Sequence, residues 1–262
     1  MPHAFVRAHL MGGLIAGLAA CGHAPATSPD NGPEPGLADA PPAAAPMNAG
    51  SNAASSGRAR PAVPADAPVI LAFGDSLYAG YRLDPDAGYP AQLEAALNAA
   101  GVRARVVNAG VSGDTTAAAL ARIAFTLDNQ PIKPALVMVG LGGNDMLRGL
   151  SPAATRANLQ GILAAIAARH IPVVLTGMLA APNLGQDYAR AFNPIWPDLA
   201  RAHHAALVPF FLAPVIGHND LLLDDHIHPN AQGVAAIVRA SEPVVAKALK
   251  AAQVKPAPPG RR

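Results

Sequence analysis

A chain with a single cysteine, Cys21, can close no disulfide within itself, so its core must rest on packing alone. Aromatic residues are also scarce, at 4% with one tryptophan, and no cluster of lysine and arginine lies beside them. Both the stacking platform and the electrostatic footprint of a nucleic-acid binder are therefore missing, and no such partner is expected. The formal charge is only +2, with Arg261 and Arg262 in the terminal tail. The apolar stretch LMGGLIAGLAA, from Leu10 to Ala20, is too short to span a bilayer as an ordinary helix.

What this stretch does resemble is an export signal. Arg7 without an acid, a short apolar segment and then small residues are the order such signals take, so Met1 to Ala20 is set aside before folding is considered. Cys21 directly follows Leu18-Ala19-Ala20, like the cleavage box of a bacterial lipoprotein. Cleavage there would leave a lipid-modified Cys21 followed by Gly22, and the acyl chains would hold a domain at a membrane surface. The absence of aspartate after Cys21 resembles the pattern sorted to an outer membrane, which points to the bacterial envelope, on its periplasmic side. The plain alternative is secretion with an incidental cysteine.

Residues 21–67 are dominated by Ala, Pro, Gly, Ser and Asn, with Pro41-Pro42 and the run Ser51 to Gly57. Large apolar side chains are too few there to offset the entropy of ordering the chain, so this segment reads as a tether. The tail KPAPPGRR, residues 255–262, reads the same way. Residues 68–254 are left, enough for one monomeric domain with a full core.

Within that domain, apolar runs suited to buried strands occur at Val69 to Phe73, Arg103 to Val107, Ala135 to Val139, Pro172 to Thr176 and Leu207 to Phe211. They are nearly continuous rather than alternating, as in strands covered on both faces. Helical spacing marks Pro90 to Ala100, Thr115 to Leu127 and Ala153 to His170. It also marks Gln186 to Ala205, interrupted by Pro194 and Pro197, and Ala231 to Ala251, with a break expected at Pro243. Alternating strand and helix predicts an α/β fold, a parallel sheet with helices on both sides.

In such a fold the loops at the carboxyl ends of the strands carry the chemistry, and the polar motifs fall there. Gly74-Asp75-Ser76 follows the first strand, with the glycine expected to allow a sharp turn. Asp75 or Ser76 could simply cap a helix. Far downstream stands Asp225-His226-Ile227-His228-Pro229. The step Asp225-x-x-His228, on a turn, lets a carboxylate hold one imidazole nitrogen while the other takes a proton from Ser76, which is what a neutral serine needs to become a nucleophile. His226 is expected to point elsewhere in an extended segment. Asp224, Asp225, His226 and His228 also admit a metal-site reading, but no third histidine of motif quality supports it, so neither metal nor cofactor is expected. Charge developing on a substrate oxygen would need fixed donors. The candidates are the Ser76 N–H, the Gly113 N–H in NAGVSGDTT and the Asn144 amide in GLGGND.

These four ordered blocks, AFGDSLYAGYRL, NAGVSGDTT, LGGNDMLRG and DDHIHPN, resemble those of the GDSL or SGNH hydrolases. They are most similar to the bacterial thioesterase, lysophospholipase and arylesterase subgroup, over about Val69 to Leu249. The resemblance implies a three-layer α/β/α sandwich of the flavodoxin type on a mostly five-stranded parallel sheet. It also implies Ser76 as nucleophile, His228 as base, Asp225 as the acid that orients it, and Ser76, Gly113 and Asn144 as the oxyanion hole. His226 departs from the similar enzymes, which usually carry an unremarkable residue there.

By the same resemblance the substrate is a small acyl or aryl ester, an acyl thioester or a lysophospholipid. Met146, Leu147 and Leu150 are expected on a mobile loop contacting it, and Pro182 and Leu184 at the rim. Tyr81 and Tyr89 are expected to pack below the nucleophile loop; Arg148 could meet a charged head group, although an exposed arginine needs no function. Two alternatives stand beside this reading: a carbohydrate O-deacetylase of the envelope, and a lipoprotein that binds lipid without catalysis.

Overall fold

The computed structural model describes residues 63–254. The export segment, Cys21, nearly all of the tether and the tail 255–262 lie outside them. Five strands, β1 (Val69–Gly74), β2 (Arg105–Gly110), β3 (Leu136–Gly140), β4 (Val173–Thr176) and β5 (Ala206–Val208), form one parallel sheet in the order β2-β1-β3-β4-β5. The helices are α1 (Ser76–Ala79), α2 (Tyr89–Ala99), α3 (Thr116–Asp128), α4 (Gly143–Leu147), α5 (Pro152–Ala167), α6 (Gly185–Phe192), α7 (Ile195–Ala202) and α8 (Ala231–Gln253).

Strand alternation divides the core into two layers. Ile70, Ala72, Leu136 and Met138 face α2 and α8, meeting Leu93, Leu97, Ile237 and Leu249. Leu71, Phe73, Val137 and Val139 face the other way, onto Ile123 of α3, Leu159 and Ile162 of α5 and Trp196 of α7. The architecture is the α/β/α sandwich with five parallel strands that the sequence predicts. Its strand order reverses at β1, so β2 and β3 leave on opposite sides and a crevice opens at the carboxyl ends of β1 and β3. Among the described residues no helix is long and apolar enough to cross a membrane.

Four local expectations need correction. β2 is an edge strand and only partly buried; its free edge is covered by α2, where the Glu94 carboxylate accepts the Val106 N–H at 2.8 Å and Asn98 donates to the Ala104 carbonyl. β5 stops at Val208 instead of running to Phe211, because the ladder slips by one residue just after Pro209. The Gly177 N–H still reaches the Val208 carbonyl, but the bond returned to the Gly177 carbonyl comes from Phe211, one residue late.

Helix α8 passes through Pro243 without a break. Pro243 and Arg239, whose carbonyl loses its N–H partner, are both exposed, so water serves that carbonyl. Ile237, Val238, Val245 and Leu249 keep both halves on the sheet, and Ser241 ties the helix to α2 through Tyr89, hydroxyl to hydroxyl at 2.9 Å. Of the two prolines expected to interrupt Gln186 to Ala205, only Pro194 marks the break. Pro197 sits in the first turn of α7, where an N–H has no helical acceptor to lose.

Candidate active site

Ser76 is the first residue of α1, and Asp75 is its cap: the Asp75 carboxylate accepts the Leu77 N–H at 3.1 Å. The capping role therefore falls to Asp75 and leaves the Ser76 hydroxyl for another partner. Gly74 does not supply a sharp turn. Its hydrogen is required because a Cβ there would stand 2.7 Å from both the Gly140 carbonyl oxygen and the Tyr78 ring. Tyr78, fully buried, lies across the strand ends and meets Thr176, hydroxyl to hydroxyl at 3.1 Å. Close approach of α1 to the sheet thus fixes where Ser76 emerges.

The partner of the hydroxyl is His228. Its Nε2 is 2.9 Å from Ser76 Oγ, and its Nδ1 is 2.8 Å from Asp225 Oδ2. The other carboxylate oxygen, Oδ1, accepts the N–H groups of Ile227 and His228, both at 2.9 Å. Partial burial raises the Asp225 pKa, but these two N–H bonds and the His228 ring outweigh it and hold the carboxyl down at about 2. An ionised carboxylate on Nδ1 leaves Nε2 as the nitrogen that can accept the serine proton.

The segment that presents His228 is a turn, as the step from Asp225 to His228 implies, and it is not extended at His226. His226 has φ +55° and its N–H reaches the Leu223 carbonyl at 2.9 Å, while the Leu223 N–H returns to the His228 carbonyl at 2.7 Å. His226 and Asp224 end up exposed. Among the described residues no group of three or more His, Cys, Asp or Glu side chains is placed to hold a metal ion. Asn230 caps α8 by accepting the N–H groups of Gln232 and Gly233, both at 3.0 Å, which anchors the turn to the last helix.

Opposite this turn lie the donors. Gly113 has φ +85°; among the described residues neither its N–H nor that of Ser76 has a protein acceptor. Asn144 is the second residue of α4, which is capped by Gly142, whose φ of +107° and approach to Trp196 exclude a side chain. One Nδ2 hydrogen of Asn144 goes to the Asp114 carbonyl at 3.0 Å, and the second is left for the cleft. Nearby, burial pushes the Asp75 carboxyl up to about 7, reinforced by the Asp114 and Asp145 carboxylates and opposed by its bond from Leu77.

Between the donors and the imidazole is a cleft of about 100 Å³, lined by Ser76, Asn144, His228 and the apolar side chains of Leu77, Met146, Leu147, Met178, Leu212 and Ile227. Of the five expected substrate contacts, Met146 and Leu147 line it. Leu150, Pro182 and Leu184 do not, although the segment leading into Pro182 steadies Met146 through the Ala181 N–H, 3.1 Å from its sulfur. Met178 and Leu212 went unread in the sequence because their loops carry no motif, and Leu77 and Ile227 because their motifs were read for the polar residues beside them. Tyr89 packs beneath α1 as expected, stacked on Tyr78 at 5.2 Å. Tyr81 does not; it is 40% exposed and lies against the His228 ring at 4.4 Å between centroids. Arg148 is exposed and donates to the Gly113 carbonyl at 2.9 Å.

Residues 72–236, which contain all of this machinery, match the GDSL-like lipase/acylhydrolase family. The chain belongs to that family. It is accordingly a serine-based carboxylic ester hydrolase. Esterase TesA of Pseudomonas aeruginosa is 42% identical over 165 residues, 63% of this chain and 81% of that one. The thioesterase 1/protease 1/lysophospholipase L1 of Escherichia coli K12 is 39% identical over 63% of this chain and 77% of its own. The crystal structure of AlinE4, an SGNH-hydrolase family esterase, is 58% identical with a TM-score of 0.61, covering 70% of this chain and 97% of that one. Variants of AlinE4 with alanine in place of one serine and of one aspartate have also been solved, and those two positions are as far apart in sequence as Ser76 and Asp225.

Proposed function

We propose that this esterase cleaves acyl and aryl esters, acyl thioesters and lysophospholipids through an acyl-Ser76 intermediate. The observation that carries this reading is the unbroken chain from Ser76 Oγ through His228 to Asp225, at 2.9 and 2.8 Å, opening on a cleft with apolar walls. His228 Nε2 takes the Ser76 proton as Oγ attacks the acyl carbonyl. The electron pair displaced onto the carbonyl oxygen is met by the Ser76 and Gly113 N–H groups and the free Asn144 hydrogen. Collapse expels the alcohol or thiol, protonated by His228, and water, deprotonated by the same nitrogen, then releases the acid and restores Ser76.

Breadth of leaving group follows from where the donors sit. All of them address the carbonyl, and none addresses the atom that departs. The names of the relatives, an esterase in one case and a thioesterase and lysophospholipase in another, support the same range. Met146 and Leu147 would contact the acyl chain. Comparing kcat/KM for p-nitrophenyl esters of increasing length, a lysophospholipid, an acyl thioester and an acetylated sugar tests the proposal. Turnover of several acyl classes is expected; a maximum at acetyl with strong preference for the sugar would instead make it a carbohydrate deacetylase.

The cellular setting is also a proposal. The Leu18-Ala19-Ala20-Cys21 order supports lipid modification of Cys21 and residence on the periplasmic face of the outer membrane. Labelled palmitate should enter the wild-type protein and be absent from Cys21→Ala; no label in either would leave simple export.

A further inference from the structure

We propose that Arg122 is the positioning residue of the oxyanion hole, a single guanidinium that sets the three segments carrying its donors. The inference rests on Ser76 being the nucleophile.

Arg122 lies on α3, away from the cleft lining, with its side chain 22% exposed. Its Nε donates to Asp114 Oδ2 at 2.6 Å, Nη1 to the Ala109 carbonyl at 3.0 Å and Nη2 to the Gly74 carbonyl at 3.0 Å. Its central carbon stands 4.1 Å from the centroid of the Phe73 ring. Each partner adjoins a donor. Gly74 is two residues before Ser76; Ala109 is the last residue but one of β2, the strand that leads to Gly113; and Asp114 follows Gly113 directly. The Asp114 carbonyl also accepts the Asn144 amide, so the third donor is set through the same residue.

The planar fork of a guanidinium can hold a carboxylate and two carbonyls on different segments at once, which the ammonium of lysine does not reproduce. Donors of an oxyanion hole act by being fixed before the charge appears. A loose Arg122 would therefore leave the substrate binding as before while slowing the step in which charge develops.

The test uses Arg122→Lys and Arg122→Ala in the full chain, with p-nitrophenyl acetate as substrate and a trifluoromethyl ketone, whose Ser76 adduct carries an oxyanion, as inhibitor. Arg122→Lys is expected to lose about 10- to 100-fold in kcat with KM changed less than about threefold. Affinity for the ketone should fall by the factor lost in kcat/KM, and added guanidinium should restore part of the rate of Arg122→Ala. Arg122→Lys carries the test if Arg122→Ala does not fold. An unchanged kcat overturns the proposal, as does a loss accounted for by unfolded protein with ketone affinity intact in the folded fraction. Failure of the wild type to bind the ketone at Ser76 would instead refute the nucleophile on which the proposal rests.

Discussion

Replacing Asp225 by asparagine and by alanine should separate what the carboxylate does for the rate from what it does for the fold. As His228 takes the serine proton it becomes a cation beside the Asp225 carboxylate, with Nδ1 and Oδ2 2.8 Å apart. With charge centres about 4 Å apart and an effective dielectric constant of about 20, the attraction is about 4 kcal/mol, and less where water reaches the pair. A quarter of the Asp225 side chain is exposed, so an effect of about 3 to 4 kcal/mol is expected, or roughly 10²- to 10³-fold in kcat.

Asparagine can still accept the Ile227 and His228 N–H groups through its Oδ1, but its amide would donate toward Nδ1 and drive the imidazole proton onto Nε2, the wrong nitrogen for a base. Asp225→Asn should therefore melt closer to wild type than Asp225→Ala yet be at least as slow. Steady-state kinetics at neutral pH and thermal melts of both variants provide the comparison. An asparagine variant that keeps more than about a tenth of wild-type kcat contradicts the assigned tautomer and charge.

Other outcomes follow from groups around the site. Asp75 keeps its proton to about pH 7 in the fold but would lose it near 3.9 when unfolded, so its ionisation removes native stability as pH rises from about 4 to about 7. Asp75→Asn, which cannot ionise, should gain on wild type across that window by up to about 4 kcal/mol, and parallel stability curves in chemical denaturation would refute the burial argument. Asp225 contributes in the opposite sense, its stabilisation being lost as pH falls through about 2. Gly110→Ala would drive a methyl into the backbone nitrogen of Ala79, displacing the turn that carries Ser76; a loss of about 1 to 3 kcal/mol in stability with a fall in kcat is expected, against no change in either if the contact relaxes freely. Pro243→Ala should restore the helical bond to the Arg239 carbonyl and raise stability by about 1 to 3 kcal/mol without altering kcat, which a denaturant titration and one rate measurement decide.

The parts of the molecule legible in the sequence are those whose cause is local. Val69 to Gly74 reads as a buried strand because every residue in it is apolar or glycine, and Asp225 to His228 reads as an acid and base because three residues suffice to form the pair. Pro243 misleads because a propensity rule says nothing of the core contacts that hold both halves of α8. β5 ends early at a one-residue slip after Pro209, which the apolar run around it does not betray. Tyr81 could not be placed until Gly80, at φ +81°, was seen to bring it back over the imidazole. Arg122 is the least legible of all. Two of its three partners are main-chain carbonyls, one of them 48 positions away, and a carbonyl carries no mark of side-chain identity.

The nucleophile can be identified directly by reacting the protein with a fluorophosphonate and mapping the adduct by peptide mass spectrometry alongside residual esterase activity. One adduct per chain, on Ser76, is expected, with activity lost in proportion to labelling and labelling abolished in Ser76→Ala. Inactivation with the label on another residue, or full labelling of Ser76 with esterase activity undiminished, would contradict it.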